Sequence, residues 1–279
     1  MLSYQHEYHA GNHADVLKHA LLTLVIRALQ HKPGAIRVLD AHAGSGAYDL
    51  ASREARRHAE HEQGIARLLE GEALPPGLED YLGVVRAMNR GRSLRFYPGS
   101  PALARGLLRP ADHLELLELH PRAVAALRRR LGADPQVHVH RRDCFEGLPA
   151  LCPPPERRGV ALIDPSYEVR EDFARVAALL VACHRRWPGG VFMIWYPLLA
   201  ERTAQRFPER IAATGIRRIY RAELQVQAAD FPGLRGSGLL VVNLPFGLEE
   251  RLAALLPWLA GRLAVAGPGR GLAHWLVPE

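Results

Sequence analysis

Cysteine is scarce: Cys144, Cys152 and Cys183 are the only three in 279 residues, and no two form a Cys-x-x-Cys pair. Such usage argues against a disulfide scaffold and a thiolate zinc site, and for a reducing compartment. Long apolar runs are also missing. Residues 20–26 form a run far too short to span a bilayer, and the polar, histidine-rich residues 1–15 do not read as a secretory signal. A cytoplasmic protein without a membrane partner is expected. No repeat or low-complexity tract is present, which sets aside repeat architectures. The turn Gly44-Ser45-Gly46 lacks the third glycine of a dinucleotide fingerprint, because that position holds Asp49. A pyrophosphate at a helix N-terminus is therefore disfavoured, and a dehydrogenase with it.

What is present is the composition of an ordinary globular chain, 48% hydrophobic and 23% charged, long enough to bury a sizeable core. Lysine and arginine total 36 against 29 acids, a formal charge of +7. Arginine recurs in clusters such as Arg56-Arg57, Arg128-Arg129-Arg130 and Arg217-Arg218. A polyanionic partner accounts for this, and so does arginine on solvated faces; charge alone does not decide.

Periodicity places a helix over residues 14–30, capped by Asn12 with Asp15 three positions on, its buried stripe running through Leu17, Leu21, Leu24, Val25 and Ala28. Lys18 and His19 fall off that stripe. A strand over 36–41 breaks into the glycine turn. Residues 48–92 then read as a helical insertion, interrupted by Leu74-Pro75-Pro76-Gly77. Beyond it, strands at 114–119, 137–140, 160–163 and 191–195 alternate with helices, one of them over about 198–210. Strands near 216–226 and 238–242 complete the sheet. This alternation predicts one α/β domain over 1–279: a doubly wound, mostly parallel, Rossmann-like sheet with one antiparallel strand and the insertion.

In such a sheet, ligands bind beyond the carboxyl ends of the strands. Four successive ends deliver acids there: Asp40 (followed by His42), Glu118, Asp143 and Asp164. Carboxylates at those places suit ribose hydroxyls and an adenine amine, and an acidic mouth suits a sulfonium, so S-adenosylmethionine fits better than a phosphate-bearing cofactor. The run Asp164-Pro165-Ser166-Tyr167 follows the buried strand Val160-Ala161-Leu162-Ile163 directly. Taken alone, Asp-Pro after a strand is also a simple turn. With the other acids and the glycine turn, it reads as a clamp for an exocyclic amine. Asp164 and the Pro165 carbonyl accept the amine hydrogens, and Tyr167 covers the face of a base drawn out of its stack. The histidine- and tyrosine-rich residues 4–13 read as an arm of stacking and hydrogen-bonding groups beside that pocket. His9 and His13 have zinc spacing, but Gly11-Asn12 breaks the helix that spacing needs, and no metal is expected.

The runs His9-Ala10-Gly11-Asn12-His13-Ala14-Asp15-Val16-Leu17-Lys18-His19, Asp40-Ala41-His42-Ala43-Gly44-Ser45-Gly46, Tyr97-Pro98-Gly99-Ser100-Pro101, Glu118-Leu119-His120-Pro121, Trp195-Tyr196-Pro197 and the closing His274-Trp275-Leu276-Val277-Pro278-Glu279 resemble the bacterial 23S ribosomal RNA adenine-N6 methyltransferases. The similarity covers essentially the whole chain. It implies S-adenosylmethionine bound by His19, His42, Ser100, Glu118, Asp143, Cys144 and Asp164. It also implies Asp164 as catalytic acceptor and Tyr4 at the RNA, with His6 and Lys18 as neighbours of the adenine. Two departures stand out: the family's Asp-Pro-Pro-Tyr is Asp-Pro-Ser-Tyr here, which bears on loop stiffness, and Cys144 replaces the usual glycine.

The expected activity is therefore methyl transfer to an adenine N6 in 23S rRNA, by a monomer, since no partner surface is evident. One rival is a DNA adenine methyltransferase, although no target-recognition domain for duplex DNA is apparent. The other is a non-catalytic RNA-binding protein on a methyltransferase fold.

Overall fold

The computed structural model describes residues 5–70, 74–91 and 93–279. After a short 3-10 turn at His6–Tyr8, the chain forms α1 (His13–Gln30) and then β1 (Arg37–Asp40), which ends at the glycine turn. Strands β2 (Ala47–Asp49) and β3 (Phe96–Pro98) pair as an antiparallel ribbon, and the segment between them carries α2 (Arg53–His58), α3 (Ile65–Leu69) and α4 (Leu78–Asn89). The remaining elements are α5 (Ser100–Leu107), β4 (His113–Glu118), α6 (Pro121–Leu131), β5 (Val137–Arg141), α7 (Cys144–Leu151), β6 (Gly159–Ile163), α8 (Glu171–Arg186), β7 (Val191–Leu198), α9 (Arg202–Gln205), α10 (Phe207–Ala212), β8 (Ile219–Gln225), β9 (Gly236–Val242), α11 (Leu248–Leu263) and β10 (Arg270–Val277).

Eight strands form one sheet in the order β10-β8-β9-β7-β6-β1-β4-β5. Strands β5, β4, β1, β6 and β7 are mutually parallel, and β9 runs antiparallel to both β7 and β8. Strand β9 is the antiparallel strand expected from the sequence. The sheet does not stop there, however: β10, also antiparallel, adds to the β8 edge, and α11 precedes it. The helix expected over 198–210 is broken in two, with Pro208 in the first turn of α10, where a missing N–H costs nothing.

Alternation along the central strands sends side chains to two separate cores. Val160, Leu162, Met193, Leu239 and Val241 face the layer of α1, α4, α5 and α11; Ala161, Ile163, Ile194, Leu240 and Val242 face α8 and α10. Helix α1 packs on β6 and β9 and is flanked by α4, α5 and α11. It is thus buried around its whole girth from Ala14 to Ile26. Lys18 and His19, which leave the apolar stripe, are accordingly only 5% and 1% exposed. Among the described residues, no helix is long and apolar enough to cross a membrane.

Candidate active site

Strand β1 pairs with β4 on one side and β6 on the other, so the chain's crossovers part company between β1 and β6. This is the switch point at which open α/β sheets leave a crevice beyond their carboxyl ends. A cavity of about 640 Å³ opens there, within the range of small-molecule sites. Of the residues singled out from sequence, His6, Lys18, His19, His42, Ser100, Glu118, Asp164 and Tyr167 line it together. Asp143 and Cys144 do not line it, and Tyr4 lies outside the described residues.

The sheet side of the cavity is built by strand ends whose acids bind main chain. Glu118 accepts from Gly44 N (2.8 Å) through one oxygen and from His120 N (2.7 Å) through the other. Gly44 and Gly46 have φ of +57° and +79°, and a side chain on Gly44 would strike the Tyr48 hydroxyl, so the turn requires glycine. Asp40 lies beneath the cavity, 2% exposed, and accepts from His42 N. Burial pushes its carboxyl up to about 6, against the pull of a Ser100 hydrogen bond. Ser100 opens α5, which follows the 47–98 excursion and brings this distant residue back to the crevice.

Asp164 N donates to His42 Nδ1 (3.1 Å), which fixes the imidazole as the Nε2–H tautomer. Burial holds His42 down to about 4, so the ring is neutral. Its Nε2 meets Cys144 Sγ at 3.2 Å, and burial pushes that thiol up to about 12. Cys144 thus supports His42 from behind the cavity wall. Asp143 caps α7 through Phe145 N, a structural role. Tyr167 sits at φ +50° in the left-handed region, its hydroxyl donating to Trp195 O (2.7 Å) and one ring face stacked on Phe173 (4.3 Å). A non-glycine residue held there reflects a loop over-determined by its surroundings.

The helix side is more heavily charged and more deeply buried. Lys18 Nζ lies 2.5 Å from Asp164 Oδ2 and 2.9 Å from Asp15 Oδ1. Asp15 Oδ2 accepts from His6 Nε2 (2.9 Å) and from Gly11 N (2.9 Å). Burial alone would lower the Lys18 ammonium, but Asp15 and Asp164 together hold it well above its usual range. Burial alone would raise the Asp15 carboxyl, but His6 and Lys18 hold it well below. One residue on, His19 Nδ1 bonds the Tyr97 hydroxyl (2.7 Å), which bonds that of Tyr81 (2.8 Å). Burial drops His19 to about 3, leaving a neutral ring whose Nε2 has no partner among the described residues.

Sequence reading missed Asp15 as a site residue. It appeared as the capping partner of Asn12; the cap exists, with Asn12 Oδ1 accepting from Ala14 N and Asp15 N, but the Asp15 carboxylate reaches past it to Gly11 and His6. Tyr48, Leu199 and Leu234 also line the cavity without a sequence signal of their own. Trp195 and Pro197 do too, and the sequence marks them only through the family resemblance.

A doubly wound sheet with an antiparallel strand beside its parallel block, and a cavity at its switch point, defines a Rossmann-like methyltransferase fold. A family model described as ribosomal RNA large subunit methyltransferase D, RlmJ, matches residues 33–277. Two relatives, each described as ribosomal RNA large subunit methyltransferase J, match the whole chain over their whole length. The protein from Escherichia coli is 43% identical and that from Haemophilus influenzae 39% identical. A crystal structure of a Legionella pneumophila protein is 31% identical, with a TM-score of 0.89 over 96% of this chain and 98% of that one. A probable spermidine synthase from Corynebacterium glutamicum, 12% identical with a TM-score of 0.52 over 91% of this chain and 73% of that one, shares the fold alone. The chain belongs to the family of ribosomal RNA large subunit methyltransferases that this model describes.

Proposed function

We propose that this protein transfers a methyl group from S-adenosylmethionine to N6 of an adenine in 23S rRNA, acting in the cytoplasm. The observation that carries the reading is the meeting of Asp164, Pro165 and Tyr167 with Lys18 and Glu118 in a single cavity at the switch point. The residues present suit the donor. Glu118 is held by two main-chain N–H groups, and the spare lone pairs of its oxygens are free to accept ribose hydroxyls. His19 Nε2, unpartnered among the described residues, and the Ser100 hydroxyl supply further polar contacts on the same side. When bound, the donor supplies an electrophilic methyl group on a positively charged sulfur.

The chain's own residues then prepare the nucleophile. Adenine N6 is weakly nucleophilic because its lone pair is delocalised into the ring. Hydrogen bonds from the amine to Asp164 and to the Pro165 carbonyl localise that pair toward the methyl group. Lys18 occupies Oδ2 of Asp164, which fixes the carboxylate and leaves Oδ1 to accept. The Tyr167 ring, anchored through Trp195 O and backed on one face by Phe173, offers its other face to the base.

Transfer of tritium from S-adenosylmethionine to deproteinised 23S rRNA, 16S rRNA and duplex DNA tests the reading. Label confined to 23S rRNA and recovered as N6-methyladenosine is expected. Label in duplex DNA alone, or in another nucleoside, would overturn it.

A further inference from the structure

The arginines of this chain divide into committed and uncommitted groups. Arg37, Arg105, Arg109 and Arg221 hold carboxylates, while Arg67 and Arg158 bond main-chain carbonyls. On α2 the pattern differs. Arg53, Arg56 and Arg57 are exposed, and among the described residues none pairs with a carboxylate. Spaced i, i+3 and i+4, they share one face of the helix, where like charges repel. The helix dipole accounts for Arg56 and Arg57 in the last turn but opposes Arg53 in the first, so local stability does not explain the set.

This face borders the cavity. Helix α2 packs on the His6–Tyr8 turn, and Gln5, His6, Glu7 and His9 line the cavity mouth. The Arg57 guanidinium lies 5.9 Å over the Tyr8 ring, and the His58 ring lies 6.0 Å from Tyr8 and parallel to His9 at 6.4 Å. On the other flank, Asp49 is held below its usual carboxylate range by Arg95 first, with a contribution from Arg56, and Arg95 lies 5.1 Å over the exposed Phe96 ring. Of the carboxylates around this face, Glu60 is taken by His9 and Asn12 and Asp49 by Arg95, which leaves Glu54 on α2 itself as a single acid against three arginines. The result is a strip of cations interleaved with flat rings that leads to the mouth. Cations meet phosphates and rings meet unpaired bases, the two chemistries of nucleic-acid binding outside the reading of base edges.

We propose that the α2 face (Arg53, Arg56, Arg57), with Tyr8 and His58, docks the RNA backbone flanking the target adenine. This rests on the reading that RNA is the substrate, and it names where the strand runs: along the inserted helices, on the side of the N-terminal turn.

The test is the double variant Arg56→Glu/Arg57→Glu, on exposed positions, with a control double variant Arg185→Glu/Arg210→Glu of equal charge change at the α8–α10 groove. Binding of in vitro transcribed 23S rRNA is measured from about 50 to 200 mM salt. The α2 variant is expected to weaken binding roughly tenfold or more and to flatten the salt slope by about 2, one for each lost phosphate contact. Donor binding and the rate at saturating RNA stay at wild-type values, and the control variant stays near wild type. Unchanged affinity and slope in the α2 variant, or an equal loss in the control, would overturn the proposal. Binding decides it independently of catalysis. Wild-type protein that holds RNA through α2 yet transfers no methyl group would sink the catalytic reading and leave this surface standing.

Discussion

On the sheet side of the cavity the acids sit where strands end, and Glu118 engages backbone N–H groups through both oxygens. On the helix side, Asp15 and Lys18 lie within the first two turns of a helix buried around its girth, at 0% and 5% exposure. The Glu118 arrangement is inexpensive, because a carboxylate at a strand end keeps partial access to water and gains charge-assisted hydrogen bonds. Asp40, 2% exposed, is the one sheet-side exception among the described residues. The helix-side arrangement costs several kcal/mol per ion in desolvation, offset only while every partner stays in place. A fold seeking stability would put apolar side chains there. The difference separates a wall that any doubly wound sheet supplies from a wall whose buried charges hold the Asp164 carboxylate in a set orientation.

The comparison breaks first at Asp164. Asp164→Ala should lower methyl transfer on the order of 10³-fold while donor binding by calorimetry remains measurable; transfer within tenfold of wild type would remove Asp164 from the chemistry. The next effect contrasts the two walls directly. Asp15→Asn leaves Lys18 and His6 short of their shared anion and should cost about 3 kcal/mol in urea unfolding, with transfer reduced as well. Glu118→Gln on the sheet wall should cost about 1 kcal/mol and act chiefly on donor affinity. Equal losses from the two would mean that the walls do not differ as described.

Acid sharpens the contrast further. Burial holds His13, His19 and His42 down to about 4, about 3 and about 4, against 6.5 for an ordinary imidazole. Each binds its proton more weakly folded than unfolded, so the stability it contributes is complete above pH 6.5 and is lost as pH falls toward 4. Asp40, raised to about 6 by burial, runs the other way: its contribution is complete below 3.8 and lost as pH rises through 6. His61 and His184 are lowered by burial as well, while His9, raised by its Glu60 hydrogen bond, joins Asp40 on the opposing side. With five groups against two, the urea midpoint should fall between pH 6.5 and 4, and His19→Gln should flatten that fall. A midpoint that rises on acidification would contradict the assignment. The smallest effect is expected at Ser166→Pro, which restores the family's loop. Ser166 is exposed, and stiffening should add at most about 1 kcal/mol with little change in rate.

The sheet wall was legible in the sequence because its signal is local: an apolar run, then an acid, then a turn. Asp40, Glu118 and Asp164 are found that way, and alternating strands and helices give the doubly wound core. The helix wall was legible only through the family resemblance, which named His6, Lys18 and His19, because periodicity marks one buried stripe and says nothing of the chemistry off it. Lys18 is buried against Asp164 beyond β6, and His19 against Tyr81 of α4 and Tyr97 of β3, elements distant in sequence whose packing no local pattern announces. Asp15 was read as part of a cap for the same reason. Strand β10 and helix α11 escaped notice because β10 pairs with an edge strand some fifty residues earlier, after a Gly-Pro-Gly stretch that reads as the end of structure.

The most direct test of the central claim is mass-spectrometric mapping of N6-methyladenosine in 23S rRNA from cells that lack this gene, with and without the wild-type protein restored. One adenine should lose its N6 methyl group in the deletion, regain it with the wild type and stay unmethylated with Asp164→Ala. A 23S rRNA whose N6-methyladenosines are all unchanged by the deletion would contradict the account.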